Sequence, residues 1–145
     1  MPPWGAVRGF GEFRNDQSLS QEQLELITSW VDGGVPEGDP RDKKEPPAVP
    51  REEGVSKIGA IRVKGDFSLT RAFLLDGLWP ESAPDKASFQ VTAELPDGSV
   101  MPLLWLYEYR RTFSHPFLLK TPVELPARTV IRGVPPGAEL LLLPH

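Results

Sequence analysis

Residues 87–109, ASFQVTAELPDGSVMPLLWLYEY, decide the fold class of this chain. Ala87, Phe89, Val91, Ala93 and Leu95 alternate with Ser88, Gln90, Thr92 and Glu94, a period of two that belongs to a strand with one buried and one wet face. Pro96, Asp97, Gly98 and Ser99 then break the pattern: proline presets φ for a type I turn, and Gly98 can take the left-handed position of a G1 bulge. The partner segment, residues 100–109, is apolar on both faces, which suits the middle of a sheet or a place under a covering element. Together the two segments read as a hairpin. On the second strand Met101, Leu103, Trp105 and Tyr107 share one face, and an aromatic row that includes Met and Leu is expected to be interior.

Working outward, shorter strand candidates lie at residues 57–64, 69–78, 117–120, 129–132 and 139–143, each punctuated by Gly or Pro. Seventeen prolines and thirteen glycines in 145 residues favour short strands and turns over a helical bundle. The expected fold is mainly β, an antiparallel β-sandwich of Greek-key or jelly-roll type over residues 55–145, with one N-terminal α-helix.

That helix has the clearest local signal. Ser20 and Gln23 have capping-box spacing, and Leu19 and Leu24 occupy the positions of a hydrophobic staple, so the helix is predicted to start near Gln21. Leu24, Ile27, Trp30 and Val31 share a face, while Glu22, Glu25 and Thr28 point away. Gly33 and Gly34 supply the C-terminal turn and Pro36 blocks continuation. Residues 1–17 read as a loop, loosened by Gly5, Gly9 and Gly11, with Trp4, Phe10 and Phe13 to bury. From Glu37 to Glu53 the composition is charged and proline-rich, as in a surface linker. The expected division is therefore 1–40 as loop plus helix, 41–54 as linker and 55–145 as sandwich.

Composition excludes several chemistries. The chain has no cysteine, which removes disulfides, zinc–thiolate and iron–sulfur sites, thiol nucleophiles and thioether-linked haem. A formal net charge of −4 makes nucleic acid and anionic membrane poor partners. No stretch approaches the ~20 apolar residues of a spanning helix, so membrane insertion is not expected. The first residues carry neither the basic nor the apolar region of a signal peptide, and the chain as written would stay in the cytoplasm.

The two histidines, His115 and His145, lack the neighbours that a metal site requires, and are expected to be a turn residue and a terminal residue. The carboxylates Glu22 and Glu25, Asp39, Asp42 and Glu45, and Glu52 and Glu53 all stand in polar surroundings, where neither partner of a general acid–base pair would be raised in pKa. No Gly-x-Ser-x-Gly elbow and no phosphate cradle is present. No catalytic residue is assigned. Trp79, Trp105, Tyr107, Tyr109, Phe113 and Phe117 are the remaining candidates: they form either a core with its rim or a face that stacks on sugar rings or a partner.

Residues 1–40, MPPW…GEFRNDQSLSQEQLELITSWVDGGVPEGDP, resemble the C-terminal end of a class of bacterial c-type cytochrome domains. In that family a Cys-x-x-Cys-His attaches haem upstream, and the methionine of a Met-Pro-Pro-Trp loop ligates the iron. The resemblance rests on Met1, Pro2, Pro3, Trp4, Leu19, Ser20, Ile27, Trp30, Val31, Asp32, Gly34, Pro36, Glu37 and Gly38. It implies that Met1 is an internal axial-ligand methionine rather than a natural start. This chain carries neither thiols nor a proximal histidine at the matching place, so no cofactor is expected in it, and haem c only with an upstream Cys-x-x-Cys-His segment. Residues 90–109 and TPVELPARTVI at 121–131 more faintly resemble the jelly-roll domains of copper type II, ascorbate-dependent monooxygenases. Ala72 and Leu74 stand where that pattern would have histidines, which implies a relative without copper.

The function expected from these readings is a non-catalytic accessory or interaction module, derived from a larger extracytoplasmic, cytochrome c-like electron-transfer protein. The resemblance implies a periplasmic or other extracytoplasmic location. The apolar segment at the N-terminus would fold back, meet a protein partner or mediate self-association. Two alternatives stay open: a carbohydrate or small-ligand binding module, and a metal-dependent, monooxygenase-like oxidoreductase.

Overall fold

The turn at 96–99 forms as its residues dictate. In the computed structural model, which describes residues 4–16, 18–42 and 54–145, the Gly98 N–H donates to the Leu95 carbonyl (2.9 Å) and the Leu95 N–H to that of Ser99 (2.8 Å). Gly98 has φ 84°, and the Asp97 carboxylate accepts from both the backbone N–H and the hydroxyl of Ser99. This turn joins β4 (Ala87–Glu94) to β5 (Val100–Tyr109).

Six further strands wrap around that hairpin: β1 (Ile61–Val63), β2 (Phe67–Ser68), β3 (Phe73–Ser82), β6 (Phe117–Leu125), β7 (Val130–Arg132) and β8 (Glu139–Pro144). With the hairpin they form, among the described residues, two four-stranded antiparallel sheets, sheet I in the order β1-β8-β3-β6 and sheet II in the order β2-β7-β4-β5. Outward from the hairpin, β3 pairs with β6, β2 with β7 and β1 with β8. Such nested pairs, with the other connections crossing between sheets, are those of a jelly roll. β2 has only two residues and lies in a stretch with no alternating pattern, so it left no sequence signal.

The inner faces of the two sheets make one core. Leu75 and Leu78 of β3, Phe117 and Leu125 of β6 and Leu140 and Leu142 of β8 meet Val91 and Ala93 of β4, Leu104 and Leu106 of β5 and Ile131 of β7. On β8 the alternate residues Leu141 and Leu143 are also buried. Leu141 lies opposite Trp79 of β3, over whose ring the Lys57 ammonium sits at 4.1 Å.

β5 is the last strand of sheet II and takes the second of its two expected places, under a covering element; it departs from the expected reading in its facing. Its pairing with β4 slips between Val91 and Thr92 and between Ala87 and Phe89, so its side-chain alternation changes phase. Met101 and Leu103 pack on the core before the slip, and Leu104 and Leu106 after it. Trp105 is therefore only half-buried, and Tyr107, expected inside, is 60% exposed.

Residues 4–16 are the covering element that β5 needed. Gly5 and Val7 pair with β5: the Tyr107 N–H donates to the Gly5 carbonyl (3.0 Å) and the Val7 N–H to that of Trp105 (2.8 Å). The segment then crosses to the edge of sheet I. There the Arg14 N–H donates to the Leu118 carbonyl (2.9 Å), and the Lys120 N–H to that of Glu12 (2.8 Å). Gly11 passes so close that a Cβ at that position would lie 2.7 Å from the Leu103 carbonyl oxygen. Two edge strands, each a template for unwanted pairing, are thereby closed by one strap.

By its packing the chain forms two compact units: residues 4–16 together with 55–145, and the segment 17–54. The expected 1–40 segment is thus cut near residue 16, because backbone hydrogen bonds tie the strap to β5 and β6. In the second unit α1 (Gln21–Asp32) starts where its cap predicts, with both bonds of the Ser20–Gln23 capping box made. Gly34 (φ 84°) follows its end, and the Trp30 indole N–H donates to the Pro36 carbonyl (3.1 Å). Of the expected linker, residues 43–53 lie outside the described residues, and Pro40–Asp42 form a single 3-10 turn.

Candidate functional site

The described residues among those singled out from the sequence do not converge on one site. Met1 lies outside the described residues, as do Glu45, Glu52 and Glu53. Glu22 and Glu25 are exposed on α1, where the Gln21 amide donates to Glu25 (3.0 Å). Asp39 accepts from the Arg41 guanidinium (2.6 Å), which holds its carboxylate below the ordinary range. Ala72 and Leu74 are exposed and carry no ligand atom. Among the described residues no group of three or more histidine, aspartate or glutamate side chains is placed to hold a metal ion.

His115 belongs to an aromatic cluster. Its ring centroid lies 5.2 Å from that of Trp4 and 4.6 Å from that of Phe117, and Phe13 meets both Trp4 and Phe117 edge-on. His115 Nδ1 lies 2.8 Å from the Phe113 carbonyl oxygen. A carbonyl only accepts, so Nδ1 carries the proton. The imidazole thus packs the start of the strap against β6, with its Nε2 buried and without a hydrogen-bond partner.

A charged cluster joins the strap to β3. Arg14 grips Asp76 with two parallel bonds, Nη1 to Oδ1 at 2.9 Å and Nη2 to Oδ2 at 2.6 Å, and also donates to the Leu119 carbonyl (2.7 Å). His145 Nδ1 lies 3.3 Å from the same carboxylate. The Arg14 hydrogen bond, with a smaller contribution from His145, holds the Asp76 carboxyl below its ordinary value. This geometry favours the charged form of both partners. An aspartate so held stays ionised near neutrality. No local signal foreshadows the pair, whose members stand 62 residues apart.

The aromatic residues disperse. Tyr109 and Phe117 are core, the former donating its hydroxyl to the Pro80 carbonyl (3.1 Å), with burial keeping its phenol above the ordinary value. Trp79 donates to the Ser114 hydroxyl (3.1 Å) beside sheet I, and Phe113 is exposed on the turn Arg111–Phe113. Trp105 and Tyr107 lie on the outer face of sheet II.

Under the strap a cleft of about 500 Å³ is lined by Trp4, Val7, Arg8, Glu12, Phe13 and Lys120, among others. Its charges pair across it, Lys120 with Glu12 at 3.5 Å and Arg8 with Asp16 at 3.7 Å. An apolar stripe is exposed on α1: Leu24, Ile27, Trp30 and Val31 are 45%, 46%, 47% and 52% exposed, and no residue of the helix is buried. No described helix is long and apolar enough to cross a membrane. The chain matches no protein-family model, no curated protein and no solved structure.

Proposed function

We propose that this chain is a non-catalytic interaction module of a larger extracytoplasmic electron-transfer protein of the cytochrome c kind, and that α1 is the element through which it meets a protein partner. The observation that carries the reading is the apolar stripe Leu24, Ile27, Trp30 and Val31, about half exposed on a helix whose capping box is complete. Four large side chains on one face of a capped helix are costly to leave wet and suited to an apolar groove. The resemblance of residues 1–40 to the end of a cytochrome c domain supports the kind of partner, and the structural roles of Asp76 and His115 support a module that does no chemistry itself.

The chain offers no thioether anchor of its own, so haem would be held by a segment upstream. The test is the natural gene product, detected in the source cells with an antibody to the sandwich and stained for haem peroxidase activity. A haem-positive band larger than 16.1 kDa is expected, and Ile27→Glu with Trp30→Glu should make its haem domain release more readily after limited proteolysis. A haem-free band of about the chain's own mass would overturn the reading.

A further inference from the structure

We propose that the outer face of sheet II binds a neutral oligosaccharide through Tyr107, Trp105 and Gln90. Past its second phase, β5 sends Leu104 and Leu106 into the core, so the residues between and beside them, Trp105 and Tyr107, stand on the opposite side. Two residues apart on one strand, they put two aromatic rings about 7 Å apart. Tyr107 is 60% exposed. Trp105 is half-buried and braced edge-on by Phe10 of the strap, with ring centroids 5.7 Å apart. Both the strap and the sheet thus fix the indole in place before any ligand arrives, which lowers the entropy lost on binding.

The side chains on β4 beside these rings are uncharged hydrogen-bonding groups, and Glu108, exposed next to Tyr107, is the one carboxylate among the described residues adjoining the rings. Gln90 lies opposite Trp105 on β4 and is exposed; Ser88 and Thr92 follow on the same face at a period of two. The Ser88 hydroxyl accepts from the Glu108 N–H (2.9 Å) and keeps its own proton for a ligand. At the end of the face the charges pair with one another, Arg132 holding Glu94 at 2.6 Å and Asp66 at 2.7 Å, and the Glu108 carboxylate beside Tyr107 disfavours an anionic ligand. Among the described residues no ion-pair-free cation is placed beside Trp105, Tyr107 or Gln90 for an anion to meet. A sugar ring fits it, since its C–H face stacks on an aromatic ring while its hydroxyls both donate to and accept from an amide and hydroxyls. This proposal does not depend on the helix having a partner.

Affinity electrophoresis of the full chain tests the site, in native gels containing soluble β-glucan, xylan, mannan or starch, with pectin as the charged control. Retardation by at least one of the four neutral polymers is expected. Tyr107→Ala and Gln90→Ala should each weaken it by about 3- to 10-fold, Tyr107→Phe should retain it, and Ile27→Glu should leave it unchanged. Circular dichroism and thermal unfolding like those of the parent chain show that each variant is folded. Absence of retardation by all four, retardation by pectin alone, or a Tyr107→Ala chain retarded like its parent would each overturn the proposal. So would self-association lost in Tyr107→Ala without any polysaccharide, which would assign the face to a second copy.

Discussion

Asp76 and Gly133 show how much single residues decide here. Asp76 is only 14% exposed at its side chain and is gripped by a guanidinium, so the folded chain favours its ionised form over the unfolded chain. Its contribution is therefore full above the ordinary carboxyl value of 3.8 and is lost as pH falls through the lower, folded value. Asp76→Asn should lower stability by about 1 kcal/mol at pH 7, given that Arg14 is partly solvated. In urea titrations the gap between the two proteins should close below about pH 4. A gap that widened with acid would contradict the assignment. Gly133 has φ 89°, and a Cβ there would lie 1.9 Å from the Gln90 carbonyl oxygen. Gly133→Ala must move backbone and should cost about 3 kcal/mol or more, read as a fall in the urea midpoint. Neither residue's role is visible locally: Gly133 reads as one more turn glycine, and nothing near Arg14 or Asp76 announces the other.

The elements differ in how far their own sequence specified them. α1 and the β4–β5 hairpin carry complete local instructions, a capping box and a turn with its bulge glycine, and both form at the expected residues. β5 was legible as a strand but not in its facing, because periodicity counts residues evenly and two register slips break the count. The strap shows the opposite failure. Residues 4–16 have no period, and their extended path is imposed from outside by the unpaired groups of β5 and β6. The strap's weight in the fold can be measured. Phe13 packs on Trp4 and on Phe117, and Phe13→Ala should destabilise the sandwich by about 2–4 kcal/mol. If the strap were an appendage, the same change would leave the unfolding midpoint of the sandwich where it was.

At the scale of the whole molecule, one chain carries two kinds of exposed surface with different origins. The sandwich closes its edges with its own first residues and leaves outward a face of two aromatic rings and neutral hydrogen-bonding groups. The helix, fully specified by its own caps, leaves an apolar stripe outward instead. Fold class was legible because alternation and turn chemistry recur along residues 57–143; the residues of both candidate surfaces were legible too, but not which of the aromatic residues stay outside, because that depends on which side of a strand is covered. Hydrogen exchange followed by mass spectrometry on the full chain, alone in solution, tests the central distinction between built-in strap and partner-seeking helix. Peptides covering residues 5–14 should be protected to the same degree as those from β5 and β6, while peptides covering 21–32 should exchange within the fraying range of an isolated short helix. Fast exchange in the strap together with strong protection of α1 would contradict the account.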